Sequence, residues 1–354
     1  MGAAFLEGVT IDGISACVPK TEIDNLTFGR ELYGDDIEGL VRTTGVSKRR
    51  VSKEGEITAL DLSVYAAHKL FEYGNYSRGD FSGVIFVTQT PDNLMPNNAT
   101  YCQELLGLSE EIAAFDINIA CSGYPFGLFV AGSLAKSTGK PVLLLDGETN
   151  SHYVSPKDKV TALLFGDAGT ASVVSPNPSG GIWTFDFETI GSKRSALIIP
   201  DGGYRNRINE YSSQYKEYED GGYRRPIDMY MNGMDVYNFV AKNVPKRIKA
   251  LIERANESSA SIDWLILHQA NEYMLKQVAR SVKIPWERVP ISIGKYGNSS
   301  SPTVPVTLCS ELKDELENTN IKSIIMAGFG AGLSIGAVHM KLGSVKCAGV
   351  FDYE

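Results

Sequence analysis

A chain of 354 residues, 43% apolar and 21% charged, holds enough apolar material for two core-bearing units of about 150 residues each. Its formal net charge of −8 opposes docking on nucleic acid or an anionic membrane, and no run reaches the ~18 apolar residues of a membrane span. Cys17, Cys102, Cys121, Cys309 and Cys347 are odd in number and scattered, with no Cys-x-x-Cys or Cys/His cluster, which excludes a disulfide framework and a zinc site. A soluble protein of the reducing cytoplasm is expected, because the first residues also lack the charged and apolar regions of a signal peptide.

Residues 4–18 read as a strand that stops before Pro19. The triplet Lys48, Arg49, Arg50 is the densest positive cluster of the first half, and reads as a solvated loop or as a contact for an acidic ligand. Leu60, Leu62, Val64, Ala67, Leu70 and Phe71 give residues 58–73 a helical apolar face, with Thr58 as N-cap and Asp61 closing a capping box. The unbroken apolar run at 83–88 predicts a strand buried on both faces in a parallel sheet, and a helix follows from 98 to 106.

Residues 113–120 form a second buried strand, which ends where Cys121 and Ser122 begin a helix of small and apolar residues. Unpaired backbone N–H groups and the macrodipole at a helix start favour a thiolate, which would make Cys121 a nucleophile near neutral pH. The same position suits an inert core cysteine, and local pattern does not choose between them. Residues 141–145 predict a further strand, and 163–175 a glycine bend and strand. Strands alternating with helices predict an α/β architecture.

The Pro/Gly/Ser segment 176–181 divides the chain into halves 1–178 and 179–354. Residues 203–229, rich in Tyr, Arg, Glu and Gly, read as a long surface loop or lid. An amphipathic helix follows over 234–256, kinked at Pro245. Trp264 to Leu267 is a buried strand delivering His268-Gln-Ala-Asn271, residues 272–282 form a helix, and 324–327 and 328–341 repeat the strand and glycine-bend pattern of the first half. Phe165-Gly-Asp-Ala-Gly and Phe329-Gly-Ala-Gly look like divergent copies, which points to an internal duplication.

Cys121, His268 and Asn298 each follow a strand, the place where parallel sheets build their sites. Cys, His and Asn together could activate a nucleophile, and spacing leaves hydrolysis and acyl transfer both open. The stretches Thr90-Pro-Asp, Asp116-Ile-Asn-Ile-Ala-Cys121-Ser-Gly-Tyr, Leu164-Phe-Gly-Asp-Ala-Gly, Met231-Asn-Gly-Met-Asp-Val-Tyr, Asp263-Trp, His268-Gln-Ala-Asn, Gly297-Asn298-Ser-Ser-Ser-Pro-Thr-Val-Pro and Gly328-Phe-Gly-Ala-Gly closely resemble, in order, the β-ketoacyl-acyl-carrier-protein synthase III family.

The resemblance implies a thiolase-type fold, five layers αβαβα built from two related halves, usually as a homodimer. It implies that Cys121 takes an acyl group from a thioester and releases it to a carbanion formed when a malonyl thioester loses carbon dioxide. His268 and Asn298 would hydrogen-bond the malonyl thioester oxygen, and the backbone N–H groups of Cys121 and Ala331 would hold the acylation oxyanion. Acyl-CoA or acyl-carrier-protein thioesters would be the substrates, with no bound cofactor and no metal. An acyltransferase forming an ester or amide without decarboxylation, and a partner subunit of a condensing heterodimer, are the alternatives; the presence of all three residues favours condensation.

Substrate-binding positions depart from the family. Its adenine-binding tryptophan and arginine align with Gly39 and Thr43, and a third nucleotide arginine aligns with His152, which suggests a different hold on acyl-CoA or a carrier-protein donor. The family's carrier-docking arginine aligns with Tyr273, but Lys276, Arg280 and Lys283 follow on the same helix and make a docking patch for an acidic carrier. Met95 aligns with the residue that reaches across the dimer to floor the partner's acyl pocket. His68, His152 and His339 read as structural.

Overall fold

Residues 2–354 are described by a computed structural model. In chain order its sheet strands are β1 (Gly2–Leu6), β2 (Val9–Val18), β3 (Gly83–Val87), β4 (Ala113–Ile117), β5 (Val142–Glu148), β6 (Ala168–Pro176), β7 (Trp183–Thr189), β8 (Trp264–Leu267), β9 (Lys322–Gly330), β10 (Ser334–Leu342) and β11 (Lys346–Asp352). The helices packed on them are α1 (Ala59–Gly74), α2 (Asn98–Leu105), α3 (Gly123–Thr138), α4 (Gly233–Arg254), α5 (Glu272–Val282) and α6 (Thr303–Glu311).

Local chemistry sets the first of these elements. The Asp61 N–H donates to Thr58 Oγ1 at 3.3 Å while the Asp61 carboxylate accepts the Thr58 N–H at 2.9 Å, the reciprocal cap expected from sequence. All five residues of β3 are buried, as its unbroken apolar run requires, and β3 lies parallel to both β4 and β5. Each fully buried aliphatic side chain in such a strand contributes about 1.5–3 kcal/mol.

Two mixed sheets result, in the orders β11-β2-β6-β5-β3-β4 and β1-β7-β10-β9-β8. Helix α1 covers the outer face of the first sheet, and α4 with α5 covers the second. Helices α3 and α6 lie between the sheets and touch both, completing the αβαβα layering. A helix held between two sheets needs small faces. A Cβ on Gly127 would stand 2.9 Å from side-chain carbons of Leu144 and Val87, and one on Gly123 2.5 Å from Val87 Cγ1.

The duplication is visible in the pairings. In the first sheet β2 runs antiparallel to β6, β6 antiparallel to β5, and β5 parallel to β3; β7, β10, β9 and β8 repeat those relations in the second. The terminal strands cross over: β1 pairs with β7 in the second sheet, and β11 pairs with β2 in the first.

Several local expectations change. Residues 4–18 form two strands on different sheets, separated at Glu7–Gly8, where Gly8 turns the chain with φ of +80°. The basic triplet is tied up within the chain, with only Lys48 exposed. Arg49 is buried, donating to Asn25 Oδ1 at 2.8 Å and to the Phe165 carbonyl at 3.1 Å. Arg50 reaches the carbonyls of Pro19 and Lys20, and Lys48 pairs with Glu22. Residues 203–229 carry a short hairpin, Lys216–Glu217 with Tyr223–Arg224, beside which Arg225 clasps the buried Asp228 at 2.7 Å.

Candidate active site

Strand β4 and a short link bring the chain to Cys121, with Ser122 as the N-cap of α3. Cys121 is buried. A Cβ built on Gly330 would lie 2.7 Å from Cys121 Sγ, so only glycine leaves room at the end of β9. The backbone N–H groups of Cys121 and Ala331 face the sulfur and favour its charged form. Ser122 and Ser334 share a hydrogen bond of 2.8 Å, and Ser334 Oγ donates to the Ala331 carbonyl at 2.8 Å, tying that loop to the nucleophile turn.

His268 ends β8, its ring Nδ1 2.7 Å from the Thr303 hydroxyl at the start of α6 and its edge against Phe329. Asn298 is fixed by backbone bonds to the 164–166 segment of the other half, with its N–H donating to the Leu164 carbonyl and its own carbonyl accepting from Gly166. Its side-chain Oδ1 accepts the Ser300 N–H at 2.9 Å, which leaves the amide Nδ2 as the donor end.

Ser300 joins the three. Its hydroxyl donates to Cys121 Sγ at 3.4 Å, its N–H binds Asn298, and its backbone lies against the His268 ring. Neither Ser300 nor Thr303 stands out in the sequence reading. The one available signal is the run Ser299–Ser301 directly after Asn298, and it does not say which serine turns inward.

Electrostatics modify the expected thiolate. Burial pushes the Cys121 thiol up to about 11, opposed first by the Ser300 hydroxyl, with the Glu148 carboxyl adding to the rise and the two backbone N–H groups to the opposition. The resting sulfur is therefore a thiol at neutral pH, because loss of water outweighs the helix start. Burial also lowers His268 to about 3, so its imidazole is neutral. Glu148 and Asp146, buried on β5, are both raised well above the carboxylate range by burial; Asp146 accepts from Ser301 at 2.7 Å and Glu148 from Thr90 at 3.0 Å.

Cys121, Ser300 and Ala331 open onto a cavity of about 990 Å³. Its apolar wall includes Phe126, Leu94 and Leu197, and the 203–229 segment adds Ile208, Ile227, Met229 and Arg225, so that segment is cavity wall and not a detached surface loop. His152 also lines the cavity, with Nε2 2.9 Å from Ser52 Oγ. Met95 is 83% exposed, and its neighbour Leu94 is the residue that reaches the cavity. Lys276, Arg280 and Lys283 are exposed at and beyond α5, with Lys276 paired to Glu272 and lying over the Trp286 ring.

Residues 115–191 match the family 3-Oxoacyl-[acyl-carrier-protein (ACP)] synthase III, and residues 252–342 match its C-terminal family. The Beta-ketoacyl-[acyl-carrier-protein] synthase III of Clostridioides difficile is 31% identical over 331 residues, which cover 93% of this chain and 97% of that protein. The chain belongs to the β-ketoacyl-[acyl-carrier-protein] synthase III family. A second synthase III, from Trichodesmium erythraeum, is 33% identical over 332 residues, 94% of this chain and 97% of its own. The crystal structure of 3-oxoacyl-(acyl-carrier protein) synthase from Burkholderia xenovorans superposes with a TM-score of 0.92 at 32% identity, covering 99% of this chain and 98% of that one. This synthase III chain is accordingly a condensing acyltransferase of thiolase-type fold.

Proposed function

We propose that Cys121 takes an acyl group from a thioester donor and passes it to the carbanion released when a malonyl thioester decarboxylates. The observation carrying this reading is the placement of the Cys121 sulfur on a cavity of about 990 Å³, under two backbone N–H groups and linked through Ser300 to Asn298 and His268. In the acylation step the N–H groups of Cys121 and Ala331 hold the carbonyl oxygen as it becomes an oxyanion. In the condensation step the neutral His268 ring joins Asn298 Nδ2 at the enolate oxygen, where charge develops.

An acyl-carrier protein is the proposed carrier, docking on Lys276, Arg280 and Lys283; acyl-CoA remains a second donor. A homodimer is proposed from Leu94, on the cavity, and its neighbour Met95, both apolar and 95% and 83% exposed. Five free, buried cysteines support a reducing compartment such as the cytoplasm.

Intact-protein mass spectrometry tests the reading: a panel of acyl-CoA and acyl-carrier thioesters is offered, with Cys121→Ala as control, followed by a malonyl-carrier chase. The expected result is an adduct on Cys121 that disappears with release of carbon dioxide. An adduct that survives the chase and moves to an alcohol or amine instead would assign non-decarboxylating acyl transfer, and no adduct from any thioester would leave the role of a partner subunit.

A further inference from the structure

The turn after Asn298 holds a hydroxyl that the reading above leaves without a task. Ser300 lies on the cavity wall, 1% exposed, with a backbone φ of +62°, a left-handed conformation uncommon outside glycine, asparagine and aspartate. Neighbours fix it from both sides. Its N–H donates to Asn298 Oδ1 at 2.9 Å, its carbonyl accepts from the Thr303 hydroxyl at 2.7 Å, and the next residue, Ser301, donates to buried Asp146 at 2.7 Å. These bonds aim Ser300 Oγ at the Cys121 sulfur, 3.4 Å away. A hydroxyl has one proton to give, and the sulfur is the acceptor in reach. Unusual backbone kept in place beside a reacting atom is a pointer to function.

We propose that Ser300 is a catalytic residue whose hydroxyl donates a hydrogen bond to the Cys121 sulfur and stabilises its thiolate during acyl uptake. This rests on the reading of Cys121 as acyl acceptor. In that step the S–H bond of Cys121 breaks, the sulfur bonds to the carbonyl carbon of the donor, the donor's C–S bond breaks, and the departing thiolate takes up the proton. Negative charge stands first on Sγ, where the Ser300 O–H is aimed, and then on the carbonyl oxygen, which the N–H groups of Cys121 and Ala331 face. The two sets of donors therefore act in succession. Burial disfavours the first of these charges, and among the groups opposing burial at Cys121 the Ser300 hydroxyl is the largest.

The test is the rate of Cys121 alkylation by iodoacetamide between pH 7 and 9, with the modified thiol located by peptide mass mapping. Loss of the hydroxyl in Ser300→Ala raises the thiol by about one pH unit and leaves about tenfold less thiolate. The remaining thiolate is about threefold more reactive, since nucleophilicity rises with basicity at a slope of about 0.4–0.5, so the net rate falls about three- to fourfold. Ser300→Gly, which also lacks the hydroxyl but accepts the positive φ, gives the same fall and serves if the alanine variant fails to fold. Equal or faster alkylation in a folded variant overturns the proposal. Acyl uptake from thioesters, measured beside it, separates the two readings. A wild-type Cys121 that no thioester acylates overturns the acyl-acceptor reading, whereas an acylated wild type with unaltered variants overturns the role of Ser300 alone.

Discussion

Replacing His268 by asparagine should change how stability responds to acid. Burial holds the folded imidazole down to about 3, against about 6.5 in an unfolded chain. Between those values the unfolded chain binds a proton that the folded one refuses. Stability is therefore complete above about pH 6.5 and falls as pH drops below it, by up to about 1.4 kcal/mol per pH unit. At pH 5 the loss works out at about 2 kcal/mol, and at pH 8 it is negligible. His268→Asn also gives up the 2.7 Å contact with Thr303, but equally at both pH values. Urea unfolding of both proteins at pH 8 and pH 5 isolates the titration: the gap between wild type and variant should narrow by about 2 kcal/mol at the lower pH. A gap that stays constant would mean that the folded site accepts the proton, and would refute a neutral His268.

Gly330→Ala places a methyl group 2.7 Å from the Cys121 sulfur; it should cost about 1–3 kcal/mol of stability and, by displacing the sulfur, slow acyl uptake about 100-fold in mass-spectrometric time courses. Unchanged uptake would show that the sulfur reacts from another position. Arg49→Met leaves Asn25 Oδ1 and the Phe165 carbonyl without their buried donor, and should destabilise the chain by about 2–4 kcal/mol in denaturant melts. Met95 lies off the cavity of its own chain and is proposed to floor the partner's acyl pocket in a homodimer, so Met95→Ala should lengthen the acyl chain accepted in a competition assay; an unaltered chain-length profile would refute that reach.

What could be read without coordinates was whatever depends on neighbours in sequence. The Thr58–Asp61 cap is a signal between residues three positions apart, and β3 is an unbroken apolar run that suits a strand buried on both faces. Long-range placement was less legible. Arg49 looks like part of a charged loop until Phe165, distant in sequence, supplies its buried acceptor. The position of Cys121 at a helix start is readable, but its burial, with Gly330 at the end of β9 closed against the sulfur from the other half, is not. For the same reason Asn298 and His268 were reached through their motifs, whereas Ser300, one serine among three, needed the turn itself.

The crossing of β1 and β11 between the sheets bears on the order in which the chain can be built. β2 precedes its partner β11 by more than 330 positions, so it leaves the ribosome long before β11 has been made. The first half, including the nucleophile helix, thus waits for β11 with one edge of its sheet open, and reaches its finished form only as the second half reaches its own. Biogenesis thereby makes the two repeats, separable by descent, a single unit.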